Sequence, residues 1–155
     1  VSTASLNLPK VQCWPLLDPT TVVAAEVANR AVIRDMDNGQ SQASDALAVL
    51  PEVGPSFSSQ LLNIGGGGVG LLIDREESAG LDRSRLMWMR IDIRPTVPAP
   101  IAVTARVVHT HIDSAQNTYA GVAFDFEFNP SHREFVVSQI LRYVNAAQRL
   151  QRNAA

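Results

Sequence analysis

Hydrophobic and polar positions repeat with different periods along the chain and predict a helix, several strands and a second helix. Asp18-Pro19 is typical of a helix start, because Asp caps the first turn and Pro fits the first helical position. Val23, Val27 and Ala31 then recur at helical spacing, which predicts a helix to about residue 34 with these side chains on one apolar face. Residues 35–44 are polar and contain an Asn-Gly pair, which predicts a loop.

From residue 45 the pattern becomes that of short strands separated by turn residues. In GVAFDFEF, residues 121–128, the apolar Val122, Phe124, Phe126 and Phe128 alternate with small or acidic residues, as on a half-buried strand. Several strands at this spacing predict a small antiparallel sandwich or barrel. The other predicted strands are DALAVL (45–50), SFSSQLLNI (56–64), VGLLID (69–74), RLMWMRIDIR (85–94) and IAVTARVVHTHI (101–112).

The two ends of the chain have different patterns. Ser131 and Glu134 form a capping box, and apolar residues follow at helical spacing as far as Ala147, which predicts an amphipathic C-terminal helix. Residues 1–17 show no clean period and contain two prolines, so we expect them to be irregular.

Composition and charge narrow the function classes. The 155 residues carry 13 Lys+Arg against 15 Asp+Glu, and this net charge of -2 argues against a DNA- or RNA-binding protein or a polybasic membrane anchor. A single cysteine, Cys13, cannot form an intramolecular disulfide, and no segment has the roughly 20 apolar residues of a membrane span. We therefore expect a soluble, cytoplasmic protein. All the cations are arginines except Lys10, and arginine forks suit bidentate recognition of bases and phosphates.

A glycine-rich segment from Asn63 to Gly70 is the most informative local feature. A predicted strand ends at Asn63, four glycines follow at 65–68, and a second predicted strand begins. Backbone without side chains allows either a flexible hairpin turn or close approach of a ligand to main-chain N–H donors. The segment is not a P-loop, since no Lys-Ser or Lys-Thr follows, and it is not a dinucleotide fingerprint, since no helix follows.

Other residues give weaker indications of chemistry. His109 and His111 lie on one face of a predicted strand near Asp113, but no third metal ligand is apparent, so solvent-facing histidines are the preferred interpretation. Cys13 has no base nearby in the sequence. Trp88, between two methionines, is interpreted as core or as an exposed contact for a partner. The sequence predicts no catalytic residues and no metal site, and therefore a protein that is not an enzyme.

Several segments, in this order, resemble a PilZ domain, a bacterial receptor module for cyclic di-GMP. Asn63-Ile64-Gly65-Gly66-Gly67-Gly68 is similar to the family's Asp/Asn-x-Ser-x-x-Gly motif, and Arg30-Ala31-Val32-Ile33-Arg34 is similar to its Arg-x-x-x-Arg motif, which lies upstream of the barrel. Residues 105–108 and 119–124 resemble the last two strands, and the segment after residue 131 resembles the closing helix. The resemblance covers about residues 45–150.

The resemblance implies a fold, a ligand and a site. The implied fold is a six-stranded antiparallel β-barrel with a C-terminal amphipathic helix, residues 45–155, after an N-terminal helical or irregular arm, residues 1–44. The implied ligand is cyclic di-GMP, with no other cofactor. Arg30 and Arg34 would clamp it, while Asn63, Gly65 and Gly68 would form the floor of the site.

Two functions follow from this resemblance. The first is a receptor in which ligand binding orders the arm and changes a surface that an unidentified protein partner contacts. The second is a PilZ-like adaptor that contacts proteins and does not bind nucleotide. Gly65, where the family has Ser, favours the adaptor, whereas the Arg30 and Arg34 pair favours the receptor.

Overall fold

The computed structural model describes residues 8–40, 49–83 and 85–154 and contains seven strands and two α-helices in that part of the chain. A 3-10 turn, Pro19–Thr21, precedes the first helix, and a 3-10 segment, Arg75–Arg83, links two strands. Part of the predicted strand 45–50 and of the predicted loop 35–44 lies outside the described residues. The elements are β1 (Lys10–Asp18), α1 (Val22–Asp37), β2 (Glu52–Val53), β3 (Phe57–Gly65), β4 (Gly68–Ile73), β5 (Leu86–Ile91), β6 (Ile101–Ile112), β7 (Thr118–Phe124) and α2 (His132–Ala154).

Six strands close into an antiparallel barrel, which confirms the predicted fold. Their order is β1-β3-β4-β7-β6-β5, and β5 pairs with β1 to close the ring. The two-residue β2 pairs with the end of β1. Closure leaves each barrel strand with a neighbour on both sides over most of its length, so few backbone hydrogen-bonding groups stay unpaired.

The expectation of an irregular N-terminal segment is wrong for residues 10–18, which form β1. This strand pairs with β3 on one side and β5 on the other. Val11 and Cys13 point into the barrel, while Trp14 and Leu16 are buried on its outer surface. Because both faces are buried from Cys13 to Leu16, the strand has no polar alternation that a sequence pattern could detect.

The barrel core and a second apolar cluster lie on opposite sides of β5. Met87 and Met89 are fully buried inside the barrel. Trp88 points outward but is 0% exposed, because α1 covers it in a cluster with Trp14 and Val22. The interpretation of Trp88 as an exposed partner contact is therefore wrong.

Helix α1 buries a different face from the apolar one that its sequence presents. Val23 is 42% and Val27 48% exposed, and Ala31 is also exposed. The buried side of the helix includes two polar residues, Glu26 and Asn29. The position of this helix is therefore set by polar contacts as well as by apolar burial.

Those polar contacts satisfy an open backbone edge of β6. Strand β7 pairs with β6 only from Ala105 onward, so within the described part of the chain residues 101–104 pair with no strand on that side. Asn29 Nδ2 donates to the Pro100 carbonyl at 2.7 Å, and Asn29 Oδ1 accepts from the Ala102 N–H at 3.0 Å. His132 Nε2 donates to the Ala102 carbonyl at 2.8 Å. Side chains of both helices thus bond this edge as a neighbouring strand would.

Glu26 lies beside these bonds at the junction of α1, β6 and α2. Asn129 Nδ2 donates to Glu26 Oε1 at 3.1 Å, and Thr104 Oγ1 donates to Oε2 at 3.4 Å. Burial raises the pKa of Glu26 to about 7, although Asn129 and Thr104 act to lower it. Burial also lowers the pKa of His132, 3.9 Å from the carboxylate, to about 4. Both groups are therefore neutral in the folded protein at mildly acidic pH.

Helix α2 closes one end of the barrel, as the capping box and helical period predicted. Its first residue is His132, and Val136 and Ile140 are fully buried against the core. Strand β7 ends at Phe124, so the predicted strand through residue 128 was too long. Phe126 packs against the barrel core, whereas Phe128 packs against the outer cluster. Neither described helix is long and apolar enough to cross a membrane.

We expect Glu26→Gln to become more stable than the wild type as the pH rises. The pKa of Glu26 is about 7 in the folded protein and 4.5 in an unfolded chain, so between pH 4.5 and pH 7 the folded protein binds more protons at this carboxyl. The contribution of Glu26 to stability therefore falls as the pH rises through this range. Glutamine removes this loss, which amounts to at most about 3 kcal/mol. Urea denaturation from pH 5 to pH 8 measures the difference.

His132 has the opposite effect on the pH dependence of stability, but this effect is the same in the wild type and in Glu26→Gln. The difference in unfolding free energy between these two proteins therefore reports the contribution of Glu26 alone. Glu76→Gln, at an exposed position of the 3-10 segment, is the matched control and should stay parallel to the wild type. Parallel curves for Glu26→Gln as well would show that the carboxyl is not perturbed.

Candidate functional site

The glycine-rich segment forms a tight hairpin between β3 and β4. Gly65 pairs with Gly68, and Gly66-Gly67 makes the turn. Asn63 is exposed and pairs with Gly70 after a bulge in β3. The predicted order of strand, glycine turn and strand is confirmed.

A row of small residues crosses the outer face of the barrel beside this hairpin. Asn63 on β3, Gly70 on β4, Gly121 on β7 and His109 on β6 are successive cross-strand neighbours. A Cβ at Gly70 would lie 2.8 Å from the Asn63 side-chain amide, and one at Gly121 would overlap the His109 ring. The Asn63 and His109 side chains therefore lie flat over a backbone that carries no side chains of its own.

These residues line a shallow groove of about 280 Å³. Its floor is formed by β4 and β7, and the side chains of Asn63 and His109 lie over the glycines there, so a planar ligand would contact these two side chains. The lining residues are Asn63, Gly67, Gly68, Val69, Val108, His109, Tyr119, Gly121, Val122 and Ala123.

Aromatic rings form one side of the groove. The His111 ring stacks on Tyr119 with centroids 4.9 Å apart, and the His109 ring lies 5.6 Å from the same tyrosine. Both histidines point to solvent, as the sequence indicated. Among residues 8–40, 49–83 and 85–154, no group of three His, Cys, Asp or Glu side chains could hold a metal ion.

Within residues 65–68, glycine is required by the lack of room for a side chain between two strands, and not by a left-handed backbone conformation. None of these four residues has φ in the left-handed region. A Cβ at Gly68 would overlap the Val122 carbonyl oxygen on β7, whereas one at Gly65 would meet nothing within 4 Å. Gly68 therefore permits the close approach of β4 to β7 that forms the floor of the groove.

The two arginines of the predicted clamp lie on α1, one helical turn apart. Arg30 is half-buried, and its charge acts on Glu26 and His132; Arg34 is exposed. Helix α1 packs against β6 and α2, whereas Asn63 is on β3. The expectation that this pair lies upstream of the barrel is wrong, because β1 precedes α1.

The structure brings together only some of the predicted site residues. Asn63 and Gly68 line the groove, and Gly65 pairs with Gly68 at the hairpin. No side-chain hydrogen bond or ion pair within the described residues links Arg30 or Arg34 to them. Whether the five residues act as one ligand site stays a prediction.

Sequence reasoning missed Arg106 and Tyr119. Arg106 is exposed and lies across from Ala123, which in turn pairs with Gly68, so it stands on the strand position next to the groove. The period-2 pattern of β6 puts Arg106 on the face opposite Ala105 and could have indicated it. The position of Tyr119 between two histidines depends on the register of β6 and β7, which the sequence does not show.

Cys13 is not a nucleophile in this structure. The thiol is buried, hydrogen-bonds with Ser59 at 3.6 Å, and burial raises its pKa to about 12. A thiol with such a pKa is almost never ionised at neutral pH.

The family of this chain follows from its similarity to known proteins. The family model for the PilZ domain matches residues 43–146, so the chain belongs to the PilZ domain family. No curated protein matches the chain.

The chain is also similar to several solved structures, all at low sequence identity. The PilZ domain of YcgR from Escherichia coli, solved with c-di-GMP, is 14% identical, with 99% of this chain and 92% of that chain covered and a TM-score of 0.52. MrkH of K. pneumonia in its apo state is 11% identical, with 90% and 47% covered and a TM-score of 0.46. PlzA of Borreliella burgdorferi in complex with c-di-GMP is 8% identical, with 63% and 42% covered and a TM-score of 0.38.

We expect Gly68→Ala to destabilise the protein and Gly65→Ala to have little effect. An alanine at 68 must displace backbone of β7, which costs about 2 kcal/mol, whereas the alanine at 65 has open space and should stay within about 0.5 kcal/mol. Urea denaturation measures both. Equal destabilisation would show that the strand spacing at Gly68 is not what requires glycine.

Proposed function

We propose that this PilZ domain is a receptor for cyclic di-GMP and that the ligand binds in the groove beside Asn63. The observation that carries the proposal is the position of Asn63 and Gly68, the residues that match the family motif, in the lining of this groove. Family membership supports the choice of ligand.

The groove has the chemistry that a guanine nucleotide needs. A guanine presents two neighbouring acceptors, N7 and O6, and donors on its other edge, and the Asn63 amide can pair with either edge. The Tyr119 and His109 rings offer stacking surfaces for a flat base.

Arginine forks would hold the phosphates or a second guanine edge. Arg30 and Arg34 are the predicted clamp, and Arg106 is the arginine that stands beside the groove floor. If the ligand draws Arg30 and Arg34 toward the groove, α1 shifts with them. The exposed Val23 and Val27 on this helix would then change position, which would couple ligand binding to a protein partner.

Calorimetric titration with cyclic di-GMP tests the proposal. Binding is expected, and Arg30→Ala, Arg34→Ala and Arg106→Ala should each weaken it at least about tenfold, or roughly 1.4 kcal/mol. Arg75→Ala, at an exposed position outside the groove, is the matched control and should bind as the wild type does. Absence of heat at ligand concentrations well above micromolar would contradict the receptor function. An unchanged affinity in the α1 variants alone would remove those two arginines from the site.

Two observations favour the adaptor that does not bind nucleotide as a second candidate function. Position 65 lacks the hydroxyl of the family motif, and the Arg30 and Arg34 pair follows the first barrel strand. In that case the exposed face of α1 would contact a partner without a ligand.

Gly65→Ser separates the two candidates. The structure has room for the side chain, so the fold should be unaffected, and the restored hydroxyl should strengthen cyclic di-GMP binding several-fold if the groove is the site. Calorimetry of this variant beside Gly65→Ala separates the hydroxyl from the added carbon. Identical affinities for both variants would place position 65 outside the ligand site.

A further inference from the structure

The hairpin of β6 and β7 extends beyond β5 and has an unpaired backbone edge. Strand β5 pairs with β6 as far as Arg106, and the Val107 N–H then donates to the Arg85 carbonyl at 3.3 Å. Past this point β6 pairs with β7, and in the part of the chain that the structure describes no strand pairs with residues 108–112 on the other side. We call this the hairpin edge. It is distinct from the start of β6, which side chains of the two helices pair.

The unpaired backbone groups of the hairpin edge belong to Thr110 and Ile112. The Asp113 N–H donates to the Asn117 carbonyl at 2.9 Å across the hairpin, and in antiparallel strands the direction of the backbone groups alternates from residue to residue. Asp113 and His111 therefore turn their backbone groups toward β7, whereas Thr110 and Ile112 turn their N–H and C=O groups toward the hairpin edge. Such an edge is a template for pairing with another strand.

The hairpin edge lacks the side chains that commonly protect a sheet edge from pairing. Residues 108–112 read Val-His-Thr-His-Ile, without proline, lysine, arginine or a carboxylate. Val108 is 57% and Ile112 63% exposed. A bulge at Val108 disturbs the strand only at the start of this segment. An exposed edge that is β-branched and free of lysine, proline or carboxylates is typical of strands that pair with another chain.

A groove of about 330 Å³ lies beside the hairpin edge. Two of its lining residues, Leu81 and Val107, pack against the barrel core. The others are Ser78, Thr110, Ile112 and Thr118. This groove, which we call the Leu81 groove, therefore offers apolar surface next to Thr110 to a side chain from a paired strand.

We propose that two copies of this chain pair through residues 109–113 as antiparallel strands, related by a two-fold axis at His111. In this register Thr110 of each copy lies opposite Ile112 of the other, and each such pair exchanges both of its N–H···O=C bonds. The backbone groups that face the hairpin edge are then all paired. An axis at Thr110 would instead place Ile112 opposite the bulge at Val108, where the strand is irregular.

The side chains on both faces of this pairing are complementary. On one face, Ile112 of each copy lies beside Thr110 of the other, within reach of the Leu81 groove. On the other face, His109 of each copy lies opposite Asp113 of the other. The Asp113 Oδ1 accepts from two backbone N–H groups of the turn, and within the described residues Oδ2 accepts from none, so Oδ2 can accept from the imidazole.

A second copy fits the hairpin edge because residues 109–113 provide both members of every cross-strand pair, as a two-fold interface requires. The interface is small, so we expect a weak dimer that forms at high protein concentration. Dimerisation through this edge does not require cyclic di-GMP, although His109 also lines the groove beside Asn63.

Sedimentation equilibrium of the ligand-free protein tests for the dimer. We expect a monomer of 16.8 kDa at about 10 µM and a rising fraction of dimer toward about 1 mM. Ile112→Lys should weaken dimerisation at least about tenfold, because it places an ammonium group on the edge of each copy. Leu150→Lys, the same change at a position of α2 that is 71% exposed, is the matched control and should dimerise as the wild type does.

Amide hydrogen exchange and NMR identify the strand and its register. The amides of Thr110 and Ile112 should exchange more slowly as the protein concentration rises, whereas those of His109 and His111, which point toward β7, should not depend on it. In a mixture of labelled and unlabelled protein, we expect an intermolecular contact between the Hα atoms of the two His111 residues, which face each other in this register.

Several results would overturn the proposal. A monomer at every concentration up to about 1 mM would exclude the dimer. Slow exchange of Thr110 and Ile112 in a monomer would show that the hairpin edge is covered within one molecule. A dimer of unchanged strength in Ile112→Lys, or one lost in Leu150→Lys, would place the interface elsewhere. Because no ligand is present, these outcomes are separate from any binding beside Asn63.

Discussion

The open edge of β6 is the constraint on which the arrangement of the helices depends. The start of β6 has no pairing with β7, and Ala102 there is too buried for its backbone groups to be left unpaired. Asn29 and His132 pair them from two different helices. The need to pair these backbone groups explains why α1 buries polar residues against the barrel. It also explains why the Glu26 carboxyl is buried close to the buried imidazole of His132.

The way α1 docks also determines which surfaces of the barrel are free for function. The helix covers the outer face around Trp14 and Trp88, which becomes a second apolar cluster. The outer faces of β4 and β7 stay uncovered and carry glycines instead of large side chains, so a groove forms there. The position of this helix thus leaves the groove beside Asn63 open on the barrel surface.

Of the residues that match the two family motifs, the structure places Asn63 and Gly68 in the lining of the groove, but not Arg30 or Arg34. That Asn63 and Gly68 lie close together could be predicted from the sequence because they belong to one hairpin, where neighbours in the chain are also neighbours in space. Arg30 and Arg34 lie on α1, which packs against β6 and α2, whereas the hairpin joins β3 and β4. Where α1 lies relative to the groove is a property of the tertiary fold, and the motif spacing carries no information about it. The contact between Tyr119 and His109 likewise depends on the tertiary fold, because it follows from the register of β6 and β7.

The sequence by itself determined the strands from β3 to β7 and the closing helix α2. Each of these elements either has one buried and one more exposed face over much of its length or ends at clear turn residues. The tertiary structure alone decided three features: that residues 10–18 are a barrel strand, that Trp88 is buried, and that α1 hides Glu26 while exposing Val23. In β1 and at Trp88, burial on both sides removes the polar alternation that marks a strand face. In α1, hydrogen bonds to a distant strand edge outweigh the apolar pattern, and no local period records such a partner.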